Sequence, residues 1–260
     1  MRRFATGLIL LLFVSSTFAQ IRVNRLVIKA KETYDLGQTD IVVADTLIMR
    51  DSSRIVLNKL KRENYIRAKV AIFGNGCVID GSGLTGANGR NGRNGETPIG
   101  PCKDGTSGRI GAKGLDGGNA VNLFLYFENI VVKGKLIISV RGGNGGNGGE
   151  GGHGGGGSPG TVHCFGGNGG NGAHAGNGGN GGNGGILTIS CKNCPPKEEL
   201  LGAKIIVDYD GGFFGYGGRG GYQGPPGLGP LRKNGVQGKR GFDGGNGKSG
   251  SIGDIKFETN

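Results

Sequence analysis

Glycine recurs at every third residue in six separate stretches of this chain. The stretches are 83–95, 105–117, 142–160, 166–184 (with Ala175 in one slot), 215–227 and 235–253. A flexible linker has no reason to keep such a register. A polyproline-II type helix does keep it. It turns once in three residues, has no internal hydrogen bonds and points its N–H and C=O groups sideways. Glycine makes up 62 of 260 residues, about 24%, against a usual ~7%. Only 35% of the chain is apolar, so a conventional helical enzyme with one large core is a poor fit. Glycine also loses more chain entropy on folding than any other residue. The glycine must therefore sit where a missing side chain is needed.

Two structures satisfy sideways backbone groups at this period. A collagen triple helix needs three chains and abundant proline. The chain has 8 Pro, its runs break register at each turn, and only Gly224-Pro-Pro-Gly and Gly235-Val-Gln-Gly-Lys-Arg-Gly look collagen-like. A sheaf of polyglycine-II helices from a single chain fits better, because the runs come in pairs joined by short turns. The expected fold class is mostly β plus polyproline/polyglycine-II. A short β-solenoid-like base would carry a six-helix polyglycine-II sheaf made of three hairpins.

The organisation read from the sequence follows. Residues 1–19, with Arg2 and Arg3 ahead of the apolar Leu8–Val14 run, read as a secretory signal cut at Ala19-Gln20. Residues 20–82 are a β-rich base. Hairpin 1 is 83–118, a β segment is 119–141, hairpin 2 is 142–185, a second β segment is 186–212, hairpin 3 is 213–253, and 254–260 is a closing strand. The apolar leader is too short to span a bilayer, so no membrane span is expected. Losing Arg2 and Arg3 takes the net charge from +12 to +10. The protein is expected to be secreted or on the cell surface, periplasmic or extracellular.

The period-3 glycine resembles that of polyglycine-II proteins, such as the snow-flea glycine-rich antifreeze protein and glycine-rich adhesins at phage tail tips. The resemblance covers about 83–253. It implies a six-helix bundle whose hairpin tips carry recognition. The stretch AKVAIFGNGCVIDGSG, from Ala68 to Gly83, resembles a coil of a parallel β-helix.

Five cysteines in an exported chain permit disulfides. Cys102 and Cys164 lie in the first two hairpin turns and are placed to staple the tips together. Cys77, Cys191 and Cys194 leave Cys191–Cys194, Cys77–Cys191 and Cys77–Cys194 all open. No metal site, cofactor or catalytic constellation is expected, and the chain does not read as an enzyme. Asp80, before Gly81, is the only residue echoing polysaccharide-cleaving β-helices, and Asp-Gly is commonly a turn.

Surface-binding candidates are the basic residues at non-glycine triplet positions: Arg90, Arg93, Arg109, Lys113, Lys239 and Arg240, with Lys248. They point to an acidic polymer. The amides Asn144, Asn147, Asn168 and Asn171 form rows that point to glycans. An intracellular nucleic-acid role is not expected of an exported chain. The reading is a structural and adhesive protein that binds glycans or an acidic surface. The alternative is a polysaccharide-active β-helix protein with glycine-rich insertions.

Overall fold

A computed structural model describes residues 20–259. The expected signal segment, 1–19, lies outside the described residues. Eleven strands form: β1 Gln20–Ile28, β2 Thr33–Asp35, β3 Ile41–Met49, β4 Arg54–Val56, β5 Glu63–Phe73, β6 Cys77–Asp80, β7 Asn122–Val132, β8 Leu136–Ser139, β9 Ile186–Asn193, β10 Ile205–Asp208 and β11 Asp254–Thr259. Among the described residues, helix is confined to the single turn α1, Lys197–Leu200, and a 3-10 turn at Pro230–Arg232. No described helix is long and apolar enough to cross a membrane.

Successive strands alternate between two sheets. The first has the order β1-β3-β5-β7-β9-β11 and the second β10-β8-β6-β4-β2, and every pairing is parallel. Each turn of chain thus adds one strand to each sheet. Inward side chains stack in register between the sheets. Val42, Ile66, Leu125 and Ile189 form one ladder in the first sheet, and Ile55, Ile79 and Ile138 form one in the second. All seven are at most 2% exposed, so the core is a column of aliphatic rows.

This corrects the expected fold class. Among the described residues the protein is mostly parallel β, in two sheets, with almost no helix. The sheets are not a short base confined to 20–82. Strands β7 to β11 come from the segments between and after the glycine stretches, and they continue the same two sheets. The glycine stretches are not a sheaf set on a separate base; they are the connections between strands of these two sheets. Crossings from the second sheet to the first are short at 36–40 and 57–62. At 81–121, 140–185 and 209–253 the same crossing is a long glycine hairpin. The period-3 pattern reports only how a segment meets its immediate neighbours. It carries no information on which sheet the flanking strands join.

The glycine segments inherit the order of the sheets. Segments that leave β6, β8 and β10 lie side by side and parallel: Gly89 N–H donates to Asn147 O at 2.7 Å, and Gly148 N–H to Tyr216 O at 2.8 Å. Segments returning to β7, β9 and β11 do the same, as in Gly172 N–H to Lys239 O at 2.8 Å. The two layers run antiparallel to each other. Ala112 N–H donates to Arg90 O at 2.9 Å, Gly176 N–H to Gly149 O at 2.9 Å, and Gly244 N–H to Gly218 O at 2.9 Å. Backbones are this close because the Cβ is missing. A Cβ on Gly149 would fall on the Arg90 carbonyl, and one on Gly176 would fall on the Ala112 carbonyl.

Candidate binding surfaces

Within a Gly-Gly-Asn triplet the three N–H groups go to three different neighbours. Gly166 donates to Lys233 O at 2.7 Å and Gly167 to Ser158 O at 2.8 Å. Asn168 donates to Asp104 Oδ1 at 2.6 Å. The third donor therefore needs a side-chain acceptor, and this is what the amide rows supply. Asn144 and Asn147 Oδ1 accept from Phe213 and Tyr216 N–H, both at 2.9 Å. Asn168 and Asn171 Oδ1 accept from Val236 and Lys239 N–H, both at 2.8 Å. The amide oxygens expected to face a glycan are thus committed to neighbouring backbone. His153 and His174 fill the same role through Nδ1, accepting from Tyr222 and Phe242 N–H at 2.9 Å. His174 also stacks on Phe242, with ring centroids 4.9 Å apart.

The basic candidates fall at two opposite edges of the glycine layers. Arg90, Arg93 and Arg109 share the first hairpin, where Arg109 N–H donates to Arg93 O at 2.8 Å. Lys239, Arg240 and Lys248 lie on the last segment, beyond the middle hairpin. Lys113 pairs with Asp116 at 3.2 Å and Arg240 with Asp243 at 3.2 Å. Arg240 also lies over the Tyr222 ring, 5.5 Å from its centroid. Asp116 is held below the usual carboxylate range by the Asn180 N–H and then by Lys113. These two groups of cations do not form one surface.

Cys102 and Cys164 are joined by a disulfide that links the turns of the first two hairpins. Cys191 and Cys194 form a second, leaving Cys77 a buried free thiol. Two disulfides fit an oxidising, extracellular environment. No group of three or more His, Cys, Asp or Glu able to hold a metal occurs among the described residues.

Asp80 is held in place by its neighbours. Its Oδ1 accepts the Ser82 N–H at 3.0 Å and hydroxyl at 2.6 Å. Arg54 lies 3.2 Å and Lys59 3.7 Å from its carboxylate. Burial raises its pKa, but the Ser82 bonds and the two cations outweigh burial and hold it below the usual range. Its partners are a hydroxyl, an amide and two cations, so it reads as a fixed turn carboxylate rather than half of an acid–base pair.

One surface escaped the sequence reading. A groove of about 780 Å³ crosses the outer face of the first sheet over β1, β3, β5, β7 and β9. One row of residues across it is Arg22, Val43, Arg67, Tyr126 and Ser190. A second row holds Asn24, Asp45, Lys69, Glu128 and Lys192. The inward phase slips at this second row. Ala44 and Leu47 are both buried, as are Ala68 and Ala71, and Phe127 and Ile130. Each strand therefore turns two successive residues outward there. Lys69 pairs with Asp45 at 2.9 Å, a contact that raises its pKa, with Glu128 adding to it. The only hint in the sequence is polar residues at alternate positions, Arg22 and Asn24 in β1 and Arg67 and Lys69 in β5. Alternation in single strands does not say that those strands lie side by side.

No protein-family model, curated protein or solved structure matches this chain.

Proposed function

We propose that this is a secreted or cell-surface structural and adhesive protein. Residues 1–19 direct export and are removed at Ala19-Gln20. The mature chain presents side chains to a glycan or an acidic surface polymer, with no catalytic step. The observation that carries this reading is the hydrogen-bond pattern of the glycine layers. Their glycine N–H groups bond to neighbouring segments, so one residue of each triplet meets solvent in the inner segments and two do in the outer segments 83–95, 105–117 and 235–253. Such a layer is built to display side chains at a fixed spacing of about 9 Å along each segment. The Cys102–Cys164 bridge braces its far end.

The test is a glycan array probed with the mature chain, alongside N-terminal sequencing of protein recovered from an exporting host. Selective capture by acidic or neutral glycans, with Gln20 as the first residue, is expected. A chain that keeps residues 1–19 and stays inside the cell overturns the export reading. Binding to no glycan on the array overturns the adhesive one.

A further inference from the structure

We propose that the groove across the first sheet is a binding site for an acidic polysaccharide, gripped by Arg22, Arg67 and Lys192. This deepens the adhesive reading and rests on it.

Shape comes first. The groove crosses five strands, roughly 19 Å at about 4.8 Å per strand. It is open and lined mostly by polar residues, unlike the enclosed apolar pockets that take small molecules. An extended polymer fits such a track.

Charge comes second. Lys69 is neutralised by Asp45. Among the described residues, Arg22, Arg67 and Lys192 make no ion pair. Glu128 is the one remaining acid in the groove, and its field already acts on Lys69. Arg22 opposes the charge on Lys69, so the fold holds positive charge here that its own carboxylates do not balance. Arg22 and Arg67 stand two strands apart in one row, about 10 Å. Guanidinium groups at that spacing suit carboxylates or sulfates repeated along a chain, each held by paired N–H donors.

Tyr126 adds a third feature. It neighbours Arg67 in the same row, and the residue is 38% exposed. A ring with an apolar face and a polar tip accepts the apolar face of a sugar and still bonds to its hydroxyls.

The test uses the mature chain of residues 20–260 with polygalacturonate as the carboxylate probe, heparin as the sulfate probe and dextran as the neutral control. Binding to at least one acidic probe is expected, weakening as salt rises, with none to dextran. The Arg22→Gln/Arg67→Gln double variant should lose about 100-fold in affinity, about tenfold per guanidinium. Arg22→Lys/Arg67→Lys should recover part of it. Arg90→Gln/Arg93→Gln/Arg109→Gln, on the glycine edge, should stay within about threefold of the parent. Both arginines of the groove are exposed, and unchanged circular dichroism will show that the sheets are intact. Unaltered binding in the groove variant, with loss in the edge variant, overturns this site and leaves the adhesive reading standing. Tighter binding of single-stranded DNA than of either polysaccharide also overturns it. Binding to no polysaccharide at all overturns both.

Discussion

The side-chain oxygen of Asn168 accepts the backbone N–H of Val236, 68 residues further along the chain, at 2.8 Å. Ile186 and Asp254, paired in the first sheet, are separated by the same number of residues. The match recurs elsewhere. Asn88 and Asn147 are 59 apart, as are Cys77 and Leu136. Asn119 and Asn183 are 64 apart, as are Leu123 and Leu187. Asn144 and Phe213 are 69 apart, as are Leu136 and Ile205. The register of the sheets therefore runs unbroken into the glycine layers, and the amide rows hold it there.

If so, removing an amide should cost stability at the partner donor. Asn171→Ala strips the Lys239 N–H of its acceptor, at about 1 kcal/mol. Asn171→Asp, which keeps an acceptor, should cost less. Thermal unfolding of both variants checks this, at roughly 2–4 °C per kcal/mol for a chain of this size. Equal losses in the two would refute the acceptor role.

Glycine should be required according to what a Cβ would strike. Gly149→Ala drives a methyl into the Arg90 carbonyl, while Gly245→Ala meets only the Asn177 Oδ1 at 3.8 Å. The first should destabilise by about 1–3 kcal/mol or more. The second should be close to neutral. Denaturant titration of the pair reads the difference, and equal effects would mean that the layers are not close-packed.

The two disulfides should differ in weight. Cys102 and Cys164 are 62 residues apart, and Cys191 and Cys194 only 3. On loop-closure entropy the first is worth about 4 kcal/mol and the second less than about 2 kcal/mol. Paired Cys→Ala variants, compared by unfolding midpoint, should rank in that order.

Tyr65 donates to Glu63 at 2.5 Å and stacks on Phe124 at 4.8 Å. The bond to Glu63, then burial, pushes its phenol up from 10.0 to about 12. Its folded pKa is raised, so its contribution to stability is present below pH 10 and lost as pH climbs toward 12. Ultraviolet titration should show one late tyrosine, and Glu63→Gln should move it earlier. At the acid end the sign reverses. Asp80 is held below its ordinary 3.8, so its contribution is full above about pH 4 and fades as pH falls further. Asp80→Asn should flatten the acid limb of the stability curve.

Part of this was legible in the residues. The β-branched runs of 20–82 mark strands, because alternation in a short run is local information. The period-3 glycine marks close lateral packing, because a Cβ is excluded at each contact. Cys102 and Cys164 are readable as a pair, because two adjacent hairpins of similar length end at the same level. The destination of β7 to β11 was not legible, since pairing across 59 to 69 residues leaves no local trace. The backbone partners of the amide oxygens were not legible for a related reason. An Asn at every third position looks the same whether its oxygen meets solvent or the N–H of a segment 68 residues away.

The sequence by itself determined the spacing of the glycine contacts, the strand character of the apolar runs and the cysteines available for bridging. These are properties of a residue and its nearest neighbours, written in steric size and backbone preference. Only the tertiary structure decided that all eleven strands belong to two continuous sheets, that the glycine hairpins are crossings between them, and that Arg22, Arg67, Tyr126 and Lys192 share one groove. Those facts depend on parallel register summed over distant turns of chain. A single offset carried from one turn to the next by backbone hydrogen bonds sets it, and no stretch of residues contains it alone.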